Sequence, residues 1–245
     1  MIKAITFDLW DTIYQDEEKG DEARKKQRFR LIQAAIKEDG YSFDDEKLQE
    51  AVVIAAEKSH EIWYKKHKTP TAQERLDMIT SHLNIEMDNE TIKKLAVSIE
   101  NVGYEISPPL FEKSKYTIDS LAKRFPLALI SDTGLTSGRV LREVLKRDGL
   151  LPYFKVLTFS DEIGVSKPSE KIFHSTLEAL GVNASEALHV GDNFQKDVTG
   201  ALLVGMQAIH INSHNGFKYE VGSDYSKVSG IGEVESIIKK IPILG

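Results

Sequence analysis

The chain has 245 residues, a formal net charge of −6 at neutral pH and no cysteine, which excludes disulfides, thiolate metal sites and a cysteine nucleophile. Apolar residues make up 41% of the chain and charged residues 29%, a composition typical of soluble globular proteins. The negative charge argues against nucleic acid as a partner. No apolar run is long enough for a membrane span, and Lys3, Asp8 and Asp11 interrupt any signal peptide. We therefore expect a cytoplasmic protein with no membrane partner.

The first two predicted parts of the chain differ sharply. Residues 3–8 form an apolar run that ends in Asp8, which predicts a short buried strand. Between residues 16 and 101, apolar residues recur three or four positions apart, and Gly40 and Pro70 interrupt the pattern. Four consecutive amphipathic helices follow from this spacing, and helices of this kind pack as a bundle.

After Pro108-Pro109, strand and helix patterns alternate to the end of the chain. The segments FPLALISDTG, FKVLTFSDEIGVSKP, EALHVGDN and MQAIHIN each predict a buried strand, and amphipathic stretches lie between them. This alternation predicts an α/β fold with a Rossmann-like open parallel sheet. The first strand must join that sheet, because a single strand is not stable alone. We therefore predict an α/β core domain of residues 1–14 and 106–245, and an inserted all-helical domain of residues 15–105.

Chemically reactive side chains cluster at the ends of the predicted strands. Asp8 ends the first strand, residues 131–133 (Ser-Asp-Thr) end the second, Lys167 follows the third, and Asp192 ends the fourth, with Asp197 five residues later. In open α/β sheets, ligands bind beyond these carboxyl ends. Neighbouring carboxylates repel one another unless positive charge lies between them. Lys167 supplies one positive charge, and a hard divalent cation such as Mg²⁺ would supply more.

Four sequence motifs resemble those of the haloacid dehalogenase-like (HAD) hydrolase superfamily. In chain order they are FDLWDT, LISDTG, GVSKP and VGDNFQKD, each at a predicted strand end. The helical insertion resembles the four-helix cap that this family carries between its first two motifs. The resemblance covers the whole chain and implies a Mg²⁺-dependent phosphatase that acts on a small phosphorylated metabolite.

The resemblance also implies a role for each motif residue. Asp8 would attack phosphorus to form an aspartyl-phosphate, which water would then hydrolyse. Lys167 would neutralise Asp8 and the phosphoryl oxygens. Mg²⁺ would bind Asp8, the backbone carbonyl of Trp10 and Asp192, while Asp197 would orient the water ligands of the metal.

Phosphate binding is implied for the second motif. Ser131 and the backbone N–H groups of Asp132 and Thr133 would hold the phosphate at a helix N-terminus. The part of the substrate beyond the phosphate is chosen by cap residues, and nothing in residues 16–101 identifies it. The sequence also leaves the oligomeric state open.

Trp10 is a departure from the family's phosphatases, which carry a second aspartate at this position as the general acid and base. Asp11 lies one residue later and, in an extended segment, would face the other way. The family's dehalogenases carry an aromatic residue there and act without metal, yet this chain keeps Asp192 and Asp197. Two alternatives therefore remain open: a metal-independent 2-haloacid dehalogenase-type hydrolase, and a catalytically weak binding protein with the same fold.

Several other residues have simpler interpretations. Trp10 is expected to pack against the core, with a wall of the leaving-group pocket as its second possible role. Trp63 and Tyr64 are expected in the core of the helical bundle rather than against substrate. Seven histidines show no metal-like spacing and are expected to be structural or on the surface: His60, His67, His82, His174, His189, His210 and His214.

Overall fold

A computed structural model describes residues 1–212, 220–221 and 225–240. Its strands form one sheet, and six of them run parallel while the seventh is antiparallel to its only neighbour. This confirms the predicted α/β class with an open parallel sheet. The strands are β1 (Ala4–Phe7), β2 (Leu127–Ser131), β3 (Phe154–Phe159), β4 (Ala187–Gly191), β5 (Gln207–Ile211), β6 (Glu220–Val221) and β7 (Tyr225–Val228).

The helices fall into two groups along the chain. Five lie between β1 and β2, of which the first four occupy the insertion that the sequence predicts, and the others follow β2. The first four are α1 (Glu18–Glu38), α2 (Asp45–Lys66), α3 (Ala72–Leu83) and α4 (Asn89–Glu105). The others are α5 (Ser114–Ala122), α6 (Gly138–Arg147), α7 (Ser160–Ile163), α8 (Glu170–Leu180), α9 (Gly200–Leu203) and α10 (Val234–Ile238), and a π-helical turn (Phe194–Thr199) precedes α9.

The first four helices are here called the helical insertion, and three of them have side-chain caps at their start. Asp44 and Asp88 cap α2 and α4 with their side chains, and Thr71 forms a capping box with Glu74 at the start of α3. The insertion buries its own apolar cluster, which includes Ile36 and is separate from the clusters around the sheet. This separation supports the division into two domains, which stays a prediction.

The order of the strands positions the site. The order of the strands in the sheet is β3-β2-β1-β4-β5-β7-β6. β2 and β3 lie on one side of β1, and β4 and the later strands lie on its other side, so the strand order reverses between β1 and β4. Ligands bind at such a reversal, beyond the carboxyl ends of the strands. β1 and β4 are direct neighbours, with Phe7 opposite Val190, and the Asp8 N–H donates to the Val190 carbonyl at 2.8 Å. The acids after β1 and β4 are therefore held side by side.

Two strands were not predicted from the sequence. β7 has only four residues, in which buried Ser226 and Val228 alternate with half-buried Tyr225 and Lys227, and β6 has only two. Segments this short carry too few alternations to be distinguished from loops. Among the helices of the described residues, none combines the length and apolar character that crossing a bilayer requires.

Candidate active site

The centre of the site is the ammonium group of Lys167. Lys167 lies in the loop after α7 and is 1% exposed. Its Nζ donates to Asp8 Oδ1 at 2.5 Å and to Asp197 Oδ1 at 2.6 Å. The backbone N–H of Lys167 donates to Asp132 Oδ1 at 3.0 Å, which anchors this loop to the end of β2. Three of the predicted strand-end segments therefore meet at one buried side chain.

Asp197 is held in place from several sides. Besides Lys167, His189 Nε2 lies 3.2 Å from Oδ1, and the Asn193 N–H donates to Oδ2 at 2.9 Å. His189 Nδ1 in turn lies 2.7 Å from the Thr6 hydroxyl on β1. The sequence reasoning gave His189 no part in the site. The available signal was a histidine in the middle of an apolar, fully buried strand.

The neighbouring glycine leaves room for this arrangement. A Cβ on Gly191 would lie 2.3 Å from Asp197 Cγ, which is far closer than non-bonded carbon atoms approach. The absence of a side chain at the end of β4 therefore allows Asp197 to reach Lys167.

The charges of the site are strongly coupled. Burial raises the pKa of Asp8, and Asp197 and Asp192 raise it further against the opposing effect of Lys167. Burial and the charge of Asp197 likewise raise the pKa of Asp192. Burial alone would raise the pKa of Asp197, yet Lys167 and His189 hold it well below its usual range. Burial alone would lower the pKa of Lys167, but Asp197 and Asp8 hold it above its usual value.

These four residues, here called the acid cluster, have a donor set that fits a hard divalent cation. One oxygen from each of Asp8, Asp192 and Asp197 lies within 4.8 Å of the others. One lysine does not balance three carboxylates, and besides burial, which is the main cause, repulsion by the neighbouring acids adds to the raised pKa values of Asp8 and Asp192. Oxygen-only donor sets of this kind are what hard divalent cations prefer. Both oxygens of Asp197 already accept hydrogen bonds, so Asp8 and Asp192 are better placed to bind a cation directly.

Two cavities lie beside the acid cluster. A small cavity of about 200 Å³ is lined by the acid cluster itself, and a large cavity of about 650 Å³ lies between the helical insertion and the sheet. Four residues line both cavities and so mark where they adjoin: Trp10, Asp132, Asn193 and Lys196. A ligand with its reactive end at Asp8 can therefore extend toward the helical insertion.

The family model for haloacid dehalogenase-like hydrolases matches residues 2–205 of the chain. This protein belongs to the HAD-like hydrolases. The four-motif resemblance seen in the sequence is thereby confirmed.

Curated relatives of this HAD-like hydrolase include several phosphatases. It is 30% identical over 226 residues to "Glyceraldehyde 3-phosphate phosphatase" of Methanothermobacter thermautotrophicus, which covers 87% of each chain. It is 29% identical over 218 residues to "5-amino-6-(5-phospho-D-ribitylamino)uracil phosphatase YigB" of Escherichia coli, which covers 88% of this chain and 85% of the relative.

Solved structures of the family share the fold along nearly the whole chain. A 2-haloacid dehalogenase from Pseudomonas syringae pv. tomato superimposes with a TM-score of 0.73 at 22% identity, covering 99% of this chain and 100% of its own. A HAD phosphatase from Thermococcus onnurineus superimposes with a TM-score of 0.62 at 24% identity, covering 97% and 98%. At these identities the likeness shows the fold alone.

The positions of Trp10 and Asp11 can be compared with the roles predicted for them. Trp10 is partly buried against the core cluster and also lines both cavities, so both of its predicted roles find support. Asp11 was expected to face away from Asp8. It lines the small cavity with the acid cluster, its charge raises the pKa of Asp192, and its Oδ1 accepts a hydrogen bond from the Asp16 N–H at 3.1 Å. The alternation rule fails here because Asp11 has a φ of +52°, in the left-handed region, and the segment is not extended.

The predicted phosphate loop also needs correction. The helix after β2 begins at Gly138, so Ser131, Asp132 and Thr133 are not at a helix N-terminus. The Thr133 N–H donates to Ser160 Oγ at 3.0 Å, and Ser131 is fully buried and lines neither cavity. Thr133 and Asp132 do line the large cavity. The error arose because the sequence places β2 and α6 close together but does not show the six-residue loop between them.

The expected core positions of Trp63 and Tyr64 are wrong. Tyr64 is 67% exposed, and Trp63 lines the large cavity rather than joining the apolar cluster of the helical insertion. Lys196 Nζ lies 4.2 Å from the centre of the Trp63 ring and 3.4 Å from Asp132 Oδ2. His210 also contacts the acid cluster, since its Nε2 lies 2.8 Å from the backbone carbonyl of Asp192. His214 lies outside the described residues.

Replacing Lys167 tests whether its charge holds the acid cluster together. We expect Lys167→Met to lower the free energy of unfolding by about 3–5 kcal/mol at neutral pH, because two buried carboxylates lose their counter-charge. The loss should shrink at about pH 4.5, where the uncompensated acids take up protons in the folded mutant. In the wild type, Lys167 keeps the pKa of Asp197 depressed. The stability that this pairing provides is present above the unfolded pKa of aspartate, including at about pH 4.5, and is lost only as the pH falls below that value. The smaller loss at about pH 4.5 therefore comes from proton uptake by the folded mutant.

Urea unfolding of both proteins at the two pH values measures this difference. Lys65→Met is the matched control, because Lys65 pairs with Glu61 on the surface and its loss should leave stability unchanged. A Lys167→Met loss that is no larger than the Lys65→Met loss, or that is equal at both pH values, would contradict the assignment.

Proposed function

We propose that this HAD-like hydrolase is a Mg²⁺-dependent phosphatase that acts through an aspartyl-phosphate on Asp8. The observation that carries the proposal is the position of Lys167 Nζ, buried between Asp8 and Asp197 with Asp192 in the same cluster. A structural role alone does not require three acids and a lysine at one reversal point of the sheet. The phosphatase names of the curated relatives support the same activity.

Asp8 serves as the nucleophile in this proposal. One carboxylate oxygen attacks phosphorus, the bond from phosphorus to the leaving alcohol breaks, and water later cleaves the acyl phosphate to regenerate Asp8. Lys167 contacts Asp8 Oδ1 and offsets the negative charge that gathers there. Because burial raises the pKa of Asp8, positive charge is needed to keep it ionised. Asp8, Asp192 and the Trp10 carbonyl would hold Mg²⁺, whose charge permits an anion to attack a phosphate dianion.

The remaining residues of the site act by positioning. Asp197 holds the ammonium group of Lys167 in place, and His189 and the Asn193 N–H fix Asp197 in turn. Asp132 anchors the Lys167 loop through the Lys167 N–H. Thr133 lines the large cavity and would contact the substrate beyond the transferring phosphate, while the fully buried Ser131 would support this loop.

The substrate is a small phosphate monoester that fits the two adjoining cavities. Glyceraldehyde 3-phosphate is one candidate, because several relatives are named for it. The dehalogenase alternative is favoured by Trp10 and opposed by the retained Asp192 and Asp197, which a metal-free reaction does not need. The weak-binder alternative is favoured by the missing general acid, since no aspartate stands at position 10.

Metal dependence decides among these alternatives. We expect the wild type to release phosphate from p-nitrophenyl phosphate with added Mg²⁺ and to stop in excess EDTA. Asp192→Asn should lose about a hundredfold in activity and most of its response to Mg²⁺, because a neutral amide replaces the charged carboxylate that would bind the cation directly. Asp77→Asn on the exposed face of α3 is the matched control and should behave as the wild type.

The same enzyme preparations should be incubated with 2-chloropropionate. Equal phosphate release with Mg²⁺ and with EDTA would contradict the proposed metal dependence. Halide release in EDTA, without phosphate release, would establish the dehalogenase reading. Release of neither phosphate nor halide under any of these conditions would favour the alternative of a catalytically weak binding protein.

Trp10 generates a second prediction about the leaving group. A general acid contributes about 10²–10⁴-fold when the leaving group is a poor one such as an alkoxide. We expect p-nitrophenyl phosphate to be hydrolysed much faster than alkyl phosphates, and Trp10→Asp to raise alkyl phosphate turnover selectively by at least about tenfold. Steady-state rates on p-nitrophenyl phosphate and glycerol 3-phosphate measure the effect.

A melting curve controls for the packing of Trp10 against the core cluster. If Trp10→Asp folds normally and both substrates change in parallel, the missing acid is supplied elsewhere. Asp11, which lines the small cavity, is then the residue to replace next.

A further inference from the structure

The wall of the large cavity on the side of the helical insertion carries three arginines. Arg24 and Arg28 lie on α1 and Arg75 lies on α3, and all three line this cavity but not the small one beside Asp8. Arg24 and Arg28 are almost fully buried, at 4% and 9% exposed. Buried guanidinium groups are costly unless anions or hydrogen-bond acceptors compensate them.

Arg24 is compensated within the chain. Its Nη2 lies 2.5 Å from Asp16 Oδ1 and 3.7 Å from Asp21 Oδ1, and its Nη1 donates to the Ile106 carbonyl at 3.2 Å. These contacts explain Arg24 as a structural ion pair that ties α1 to the end of α4.

Arg28 and Arg75 are not compensated in this way. Arg28 donates to the Ile99 carbonyl at 3.2 Å and to the Thr136 hydroxyl at 3.0 Å, both of which are neutral. The Nε of Arg75 is buried and has no hydrogen-bond partner, and neither arginine forms an ion pair within the described part of the chain. Burial, Arg24 and Arg75 together lower the pKa of Arg28 to about 10, which shows that these cations are close enough to repel.

A second unsatisfied donor belongs to another residue of the same cavity. The indole Nε1 of Trp63 is buried and has no hydrogen-bond partner among the described residues, and Trp63, like Arg75, lines the large cavity. Guanidinium groups offer planar pairs of donors that match the oxygens of a carboxylate or a phosphate. The excess positive charge and the free donors are thus complementary to an oxyanion.

We propose that Arg75 and Arg28 bind a second anionic group, a carboxylate or a phosphate, on the alcohol portion of the substrate. This inference rests on the proposed phosphatase function and adds the substrate class. The transferring phosphate lies at Asp8 in the small cavity, so the anion at the arginines is a different group of the same molecule. Trp10, Asp132 and Lys196, which line both cavities, border the path between the two sites.

Matched substrate pairs test the proposal. In one pair, 3-phosphoglycerate carries a carboxylate where glycerol 3-phosphate carries a hydroxymethyl group. In the other, 1,3-propanediol bisphosphate carries a second phosphate that the monophosphate lacks. We expect the wild type to favour the doubly anionic member of at least one pair by about tenfold or more in kcat/KM, because hydrogen bonds to charged groups contribute most. The pair with the larger ratio identifies the anion as carboxylate or phosphate.

Variants show whether Arg75 causes this preference. Arg75→Gln should reduce the ratio within a pair to near one, mainly through KM, and Arg75→Lys should retain part of it. Arg30→Gln, on the exposed face of α1 and away from both cavities, should keep the wild-type ratio. A purely structural role for Arg75 would lower the rates on both members of a pair together and leave the ratio unchanged, which would overturn the proposal.

A binding measurement separates this proposal from the proposed activity. Calorimetric titration of the wild type with 3-phosphoglycerate and glycerol 3-phosphate, and with the bisphosphate pair, needs no turnover. Tighter binding of a doubly anionic member, lost in Arg75→Gln, would support the arginine site even if no phosphate were released. Equal binding of both members of both pairs to the wild type would overturn it, whether or not the protein is a phosphatase and whether or not the variants fold.

Discussion

The ion pairs of Lys167 with Asp8 and Asp197 are the interaction on which the site depends. Three chain segments that are distant in sequence supply these residues, and each pairing places a charge in an interior where it would otherwise be costly. The sheet brings β1 and β4 side by side, Gly191 leaves room for Asp197, and Asp132 holds the loop of Lys167. The fold therefore serves to keep one lysine between two carboxylates.

An imbalance of charge follows from this arrangement and accounts for the chemistry. One lysine among Asp8, Asp192 and Asp197 leaves the cluster short of positive charge, and burial together with the neighbouring acids raises the pKa values of Asp8 and Asp192. On the side of the helical insertion the imbalance is reversed, because Arg28 and Arg75 line the large cavity and form no ion pair with any residue that the structure describes. A cation at the acids and an anion at the arginines would satisfy both sides. The two sites are thus expected to bind opposite ends of one small, highly charged molecule.

Much of the fold could be predicted because its signals are long and periodic. The four helices between residues 18 and 105 follow from apolar spacing over many residues, and the strands β1 to β5 follow from short, largely apolar runs. β6 and β7 could not be predicted, since β6 has only two residues and β7 contains Ser226 and Lys227 in place of an apolar run. Asp8, Lys167, Asp192 and Asp197 were predicted as a cluster because each follows a strand, and parallel strands end at one edge of the sheet.

The errors concern features that depend on loop geometry and tertiary contacts. The left-handed φ of Asp11 breaks the extended pattern on which its expected direction rested, and the loop before Gly138 removes the expected helix N-terminus from Thr133. Trp63 lines the large cavity instead of the bundle core, and Lys196 contacts its ring there. His189 belongs to the site because its ring lies within hydrogen-bond distance of Asp197, and no local sequence pattern indicates that contact.

The stereochemical course at phosphorus tests the central claim, that Asp8 carries the phosphoryl group covalently. A phosphate monoester made chiral with oxygen isotopes would be hydrolysed in isotopically labelled water, and the configuration of the product phosphate would be determined. Attack by Asp8 followed by attack of water comprises two in-line displacements, so the account predicts retention of configuration. Inversion would show a single displacement by water and would contradict the role given to Asp8, whatever the rate of the reaction.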